Sequence, residues 1–82
     1  DLAPALDRAL KELPEPFRSA VVLVDVEDQS YESAAGILGV PIGTVRSRLF
    51  RGRRLLQNEL FAYARDAGFD AARPTPDAAR QN

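Results

Sequence analysis

Residues 30–54 read SYESAAGILGVPIGTVRSRLFRGRR, and this stretch decides the fold. It predicts two short helices joined by a turn centred on Gly39. The part of the second helix that lies within this stretch carries five arginines and no acidic residue. That layout is typical of a helix-turn-helix, in which the second helix lies in the major groove of DNA.

The first helix of this pair has a start, an inner face and an end in the sequence. Ser30 is a favourable N-cap residue. Apolar side chains follow at the spacing of one helix face: Tyr31, Ala34, Ala35 and Leu38. Gly39 can adopt the left-handed conformation that ends a helix, and Pro41 suits the first position of the next one. We therefore predict a helix after Ser30 and a new helix from Pro41, and we assign Tyr31 and the alanines to packing.

The next helix is predicted to run from about Pro41 to Ala67, with Gly68 as its stop. At about 100° per residue, one arc is apolar and faces the core. That arc holds Ile42, Val45, Leu49, Gly52 and Leu56, and Leu60 and Tyr63 continue it. The opposite arc holds Ser47, Phe50, Arg51 and Arg54, with Arg46 and Arg48 on its two flanks.

The outer arc has the chemistry of DNA reading. An arginine fork can donate two hydrogen bonds to guanine O6 and N7, and arginines on the flanks suit phosphates, which position a protein without reading sequence. Thr44, Ser47 and the helix N-terminus can also serve phosphates. The ring of Phe50 can contact a thymine methyl group or a base edge. A solvated arginine face and a singly exposed aromatic ring are the ordinary alternatives.

The first part of the chain predicts two more helices. Leu2, Leu6, Leu10 and Leu13 form one stripe of an amphipathic helix, which Pro14 and Pro16 end. Residues 17–26 follow, and their run of valines and Leu23 favours a strand by propensity. The rest of the chain offers no strand partner, whereas Phe17, Val21 and Val24 keep helical spacing. We therefore predict a buried helix and an all-α, four-helix domain ending in a helix-turn-helix.

Composition excludes several classes of function. The 82 residues contain no Cys and no His, so disulfides, thiolate metal sites and Cys- or His-based active sites are excluded. Asp25, Glu27 and Asp28 could suggest a metal site or an acid/base pair, but a solvated loop is the better interpretation. We predict no enzyme, no metal and no cofactor.

The net charge of −1 results from acidic and basic residues that lie in separate parts of the sequence. Residues 1–32 hold eight acids and three bases, whereas residues 42–54 hold five arginines and no acid. Local charge governs a DNA footprint more than the total does. The basic helix is therefore the predicted DNA-facing side.

The domain is expected to span residues 1–68, with a flexible tail, rich in Ala, Pro and charge, at 69–82. No apolar run approaches the length of about 18 residues that a membrane span needs, and a cytoplasmic setting is expected. A chain that begins at Asp1 rather than Met is expected to be a fragment of a longer protein.

At these residues the sequence resembles a known family. GVPIGTVRSRLFRGR, residues 39–53, resembles the recognition segment of region 4 in bacterial extracytoplasmic-function sigma factors. The upstream Leu-Pro-x-x-x-Arg and Ser-Tyr-x-x-x-Ala segments resemble the rest of that domain, and the likeness covers roughly residues 5–60. The family usually has Gly and then an apolar residue where Asp28 and Gln29 stand here.

The resemblance implies a four-helix domain that binds the promoter minus-35 element in double-stranded DNA and docks on the beta-subunit flap of RNA polymerase. It implies base contacts by Arg46, Ser47, Phe50 and Arg51. Positions for DNA backbone contacts are Ser30, Tyr31, Thr44, Arg48, Arg53 and Arg54. An anti-sigma factor is a further implied partner, bound by the earlier helices. Two alternatives stay open: a protein-interaction module held by an anti-sigma factor or a fused regulatory domain, and the DNA-binding domain of a response-regulator-type activator.

Overall fold

Four helices form the part of the chain that the computed structural model describes, residues 2–68. They are α1 (Leu2–Glu12), α2 (Phe17–Val21), α3 (Tyr31–Leu38) and α4 (Ile42–Asp66), and a π-helical segment (Val22–Val26) continues α2. Within residues 2–68 there is no strand. The all-α, four-helix prediction is confirmed. The predicted flexible tail, residues 69–82, lies outside the described residues.

Helix α1 packs through its second half. Ala9 is buried, as is Leu13 just beyond the end of α1, and Leu10 packs against the core, whereas Leu6 is exposed. The predicted leucine stripe was therefore wrong at Leu6, since the inner face of α1 is carried by residues near its C-terminal end. Periodicity alone identified the face but could not show where along the helix the contact with α4 begins.

Arg18 stabilises the corner between α1 and α2 through hydrogen bonds. Its Nη1 donates to the carbonyl oxygen of Lys11 at 2.9 Å, so it satisfies one of the carbonyls that the end of α1 leaves open. Its Nε and Nη2 donate to Oε2 of Glu15 at 3.3 and 3.2 Å. The hydroxyl of Ser19 also donates to Glu15, at 2.7 Å. That bond is the main cause of a lowered pKa at Glu15, and Arg18 contributes to it.

We expect Arg18→Ala to lower the free energy of unfolding by about 1 kcal/mol, because exposed ion pairs contribute little and the carbonyl bond contributes most of the effect. Chemical denaturation would measure the change. Arg8→Ala, on the exposed side of α1, is the control and should stay within about 0.5 kcal/mol of the parent. Equal losses in the two variants would contradict a specific role of Arg18 at this corner.

The valine-rich segment is helical, as predicted against its strand propensity, but the prediction that it is buried holds only for its first half. Ala20 and Val21 are buried, and Phe17 and Val24 are half-buried. The second half is a π-helix, which the sequence did not indicate; the N–H of Glu27 donates to Val22 O at 2.9 Å. Asp25 lies in this segment, so its placement in a solvated loop was wrong.

The short connection after the π-helical segment explains the two departures from the family pattern. Asp28 has φ of 59°, the left-handed region that favours glycine and that Asp tolerates better than most residues. The side chain of Gln29 accepts a hydrogen bond from the Ser33 hydroxyl at 2.7 Å. Ser30 is the predicted N-cap of α3, since its Oγ accepts from the N–H of Ser33 at 3.0 Å.

The turn between α3 and α4 has the predicted glycine geometry. Gly39 has φ of 69°, and its N–H donates to Ala35 O at 2.8 Å. Pro41 was predicted as the first helical residue, but it is the N-cap, with an extended ψ of 153°. Its carbonyl accepts the N–H groups of Thr44 and Val45, which explains why α4 begins one residue later.

The core lies where α4 crosses α2 and α3. Leu49, Val21 and Val45 are its largest fully buried side chains, and Ala20 and Ala34 complete its centre. Gly52 is buried at the α2–α4 crossing. A Cβ placed there would lie 2.6 Å from Cγ2 of Val21 and 3.3 Å from the carbonyl oxygen of Phe17. The absence of a side chain at Gly52 is therefore what allows the two helices to approach.

Candidate nucleic-acid interface

The buried face of α4 fixes the direction of its arginines. Val45, Leu49 and Gly52 are buried along one side, as predicted, and Ile42 and Leu56 are half-buried beside them. With about 3.6 residues per turn, Ser47, Phe50 and Arg54 must then point away from the core. All three are exposed. The outer arc predicted from periodicity is therefore the solvent-facing side of α4.

An open groove of about 480 Å³ runs between the start of α3 and the outer side of α4. Its lining residues are Tyr31, Arg46, Leu49, Phe50, Arg53, Arg54 and Gln57. We call this surface the basic groove. Gln57 is the member that the sequence reasoning missed; its position one turn after Arg53, on the same face, was the available signal.

The two aromatic rings of the basic groove differ in exposure. Phe50 is 69% exposed, far more than a core role would allow. Tyr31 is half-buried and packs against the core, as predicted, and the guanidinium carbon of Arg46 lies 5.8 Å from its ring centroid. This cation–π contact holds Arg46 against α3. The predicted base-contact residues Arg46 and Phe50 thus lie in one groove with Tyr31.

Arg53 of α4 forms a bidentate ion pair with Asp25 of the π-helical segment. Its Nε donates to Oδ2 at 2.9 Å and its Nη2 to Oδ1 at 2.7 Å. The hydrogen bonds that Arg53 donates to the Asp25 carboxylate raise the pKa of Arg53 above the usual arginine value. Sequence reasoning missed the pair, because 28 positions separate the two residues and Asp25 was assigned to a loop.

Arg51 lies on the other side of α4 from the basic groove. Its guanidinium carbon is 5.7 Å from the ring centroid of Phe17 in α2. Arg48 is half-buried one turn earlier in α4. The predicted contact residues therefore divide between two flanks of the helix, with the exposed Ser47 and Phe50 on the outer side.

The predicted small polar contacts lie just before or within the first two turns of α3 and α4. Ser30 is exposed and caps α3, and Thr44 is half-buried in the first turn of α4. Ser47 is exposed, and its hydroxyl donates to the carbonyl of Gly43 at 3.2 Å. Ser30 and Thr44 lie at helix N-termini, where backbone N–H groups and the helix dipole favour anions such as phosphate.

Residues 2–68 contain no group of three or more acidic side chains placed to hold a metal ion. Over the same residues, no helix is long and apolar enough to cross a membrane. Between Arg46 and Arg54, the exposed side chains of α4 are cationic, aromatic and hydroxylic.

Comparison with known proteins places the sequence in a family. Residues 4–56 match the family described as sigma-70, region 4. The chain is 47% identical over 66 residues to the ECF RNA polymerase sigma factor SigE of Mycolicibacterium smegmatis, covering 80% of this chain and 26% of that protein. It is 43% identical over 53 residues to the ECF RNA polymerase sigma-E factors of Escherichia coli K12 and Salmonella typhi, covering 65% of this chain and 28% of theirs. The chain thus spans only about a quarter of the length of these relatives.

Proposed function

Because the chain belongs to the sigma-70 region 4 family, in the form found in extracytoplasmic-function (ECF) sigma factors, we propose that it recognises the promoter minus-35 element for RNA polymerase. The family comprises DNA-binding transcription initiation factors rather than enzymes. In the longer parent protein, this domain would hold polymerase at the minus-35 element while other regions start transcription.

The observation that carries the proposal is the outer side of α4. Five arginines lie within residues 46–54, and the exposed ring of Phe50 stands among them. A Ser-capped α3 and a glycine turn fix the start of this helix, and its buried face leaves the arginines on the outer side and the two flanks. Arginines and one apolar contact presented by a helix are what major-groove reading uses.

We assign direct base contacts to Arg46, Ser47, Phe50 and Arg51. Arg51 would have to leave the ring of Phe17 to reach a base edge. An exposed cation–π contact contributes about 0.5–1 kcal/mol, whereas a bidentate arginine–guanine pair discriminates by about 1–3 kcal/mol. Because the arginine–guanine pair is the stronger of these two interactions, the contact with Phe17 is compatible with base reading.

We assign the DNA backbone contacts to residues around that reading surface: Ser30, Tyr31, Thr44, Arg48, Arg54 and, when its pair with Asp25 is open, Arg53. Of these, Arg48 and Arg54 have no ion-pair partner within residues 2–68. They are the strongest candidates for phosphate contacts. Contacts of this kind position the domain on the duplex and account for most of its salt-dependent affinity.

A second surface suits protein partners. An apolar groove runs between α2, the π-helical segment and α3, lined by Val22, Leu23, Ile37 and Leu38 with Glu15, Arg18 and Ser19 at its side. Ile37 is 59% exposed there. We propose this surface for the polymerase core, through the flap of its beta subunit, with an anti-sigma factor as its competitor. Such partners place the protein in the cytoplasm.

One pair of variants separates the two surfaces. Phe50→Ala and Ile37→Ala each remove an exposed apolar side chain, so both should fold. Phe50→Ala should weaken binding of this chain to a cognate duplex without changing the salt slope, because no charge is lost. Ile37→Ala should bind DNA normally, yet lower transcription by the full-length parent with core polymerase. Anisotropy titrations and in vitro transcription would measure these effects.

The outcomes also decide between the alternatives. If no duplex in a promoter library binds with salt-dependent affinity and Phe50→Ala transcribes normally, the DNA-reading function is wrong. A loss confined to Ile37→Ala would favour the protein-interaction module. Promoter activation that depends on Phe50 but requires another sigma factor would favour the response-regulator-type activator.

A further inference from the structure

We propose that Asp25 lowers the non-specific DNA affinity of this domain by occupying Arg53. The inference rests on the proposed function and concerns the regulation of the same surface. Arg53 lines the basic groove beside Arg46, Phe50 and Arg54, where it would otherwise face phosphate. Among residues 2–68, Asp25 is the acid that pairs with an arginine of this groove, although it comes from the π-helical segment.

The geometry of the pair shows what is occupied. Nε and Nη2 form the edge of the guanidinium that pairs bidentately with an anion, and both donate to Asp25 at 2.9 and 2.7 Å. A phosphate approaching Arg53 would have to take this edge from the carboxylate or bind beside it. Arg53 therefore contributes less to DNA binding than Arg48 or Arg54, which have no carboxylate partner within residues 2–68.

The ion pair is weak enough that it reduces phosphate binding by Arg53 without preventing it. The side chains of Arg53 and Asp25 are 47% and 34% exposed, so solvent screens their attraction. Phosphate contacts act at every duplex regardless of sequence. Removing one phosphate contact lowers the affinity for random and cognate DNA alike. The preference for one DNA sequence then depends on the base contacts, which are unchanged.

The test is Asp25→Asn, which keeps the shape of the side chain and removes its charge. Affinity of this chain for a random 20-base-pair duplex should rise by about two- to fivefold, the range expected from exposed ion pairs. The slope of log affinity against log salt should steepen by about 0.9, the value for one added phosphate contact. Adding Arg53→Ala to Asp25→Asn should abolish both gains.

Controls separate this effect from simple loss of negative charge. Glu27→Gln removes an exposed acid two positions away and should leave the salt slope unchanged. Arg53→Ala alone should change the slope by much less than 0.9, because Asp25 already occupies that side chain. Thermal unfolding of each variant would show that the fold is retained.

The results also separate this inference from the proposed function. A wild-type chain without salt-dependent duplex binding would overturn both. Wild-type binding that is unchanged or weakened in Asp25→Asn would overturn the inference alone. So would a slope loss of about 0.9 in Arg53→Ala, because Arg53 would then bind phosphate despite Asp25.

Discussion

Gly52→Ala is expected to lower the free energy of unfolding by about 1–3 kcal/mol, the usual cost of an added methyl group in a well-packed core. The new Cβ would meet Cγ2 of Val21 at 2.6 Å and the backbone of Phe17 at 3.3 Å. Val21 is fully buried and β-branched, so its side chain has little freedom to turn away. This cost exceeds the gain of about 0.5–1 kcal/mol that Ala normally brings to a helix. Thermal or urea denaturation would measure the difference.

Two matched glycines test the explanation. Gly36 in α3 and Gly43 in α4 have open space around an added Cβ, so alanine there should stabilise the chain by about 0.5–1 kcal/mol. A Val21→Ala change should make Gly52→Ala less costly than in the parent, since it removes the clashing methyl group. If Gly52→Ala proves as stabilising as Gly36→Ala, close packing of α2 on α4 is not what Gly52 provides.

Arg51→Ala is expected to lower transcription from cognate promoters by about 5- to 150-fold in the full-length parent with core polymerase. That range corresponds to the loss of about 1–3 kcal/mol from one bidentate arginine–guanine pair. The loss should be largest at promoters that share one minus-35 base pair, and substitution of that base pair should remove the difference between parent and variant. In vitro transcription across a minus-35 library would measure both.

Arg48→Ala is the matched control for Arg51→Ala. Both arginines lie on the same flank of α4, but Arg48 is assigned to phosphate. Its loss should weaken all duplexes about equally and reduce the salt slope by about 1, without changing base preference. A uniform loss in Arg51→Ala as well would place Arg51 on the DNA backbone, and the assignment of base contacts would have to be redrawn.

Local sequence signals predicted most of the fold. Ser30, Gly39 and Gly68 lie at the expected helix ends, and the 3.6-residue period identified Val45, Leu49 and Gly52 as buried. The absence of a strand partner correctly outweighed the strand propensity of residues 21–24. These predictions succeeded because capping and periodicity depend on neighbours within a few positions.

The errors arose where distant residues decide the outcome. Nothing near Asp25 indicates that it meets Arg53, and nothing near Arg51 indicates that it lies over Phe17. Leu6 keeps the period of its helix but is exposed, because the contact surface of α1 lies further along. Periodicity gives the direction of a side chain, whereas its partner depends on how the helices are arranged.

The length of α4 has a mechanical consequence. Its 25 residues form one helix about 37 Å long at a rise of about 1.5 Å per residue. The close crossing at Gly52 divides the helix into a segment of about 15 Å toward Ile42 and one of about 21 Å toward Asp66. Tilting the helix about this crossing would move its two ends in opposite directions. A sideways displacement of Asp66 would therefore move Ile42 the opposite way by about seven-tenths as much, and Arg46, about 9 Å from Gly52, by about four-tenths as much.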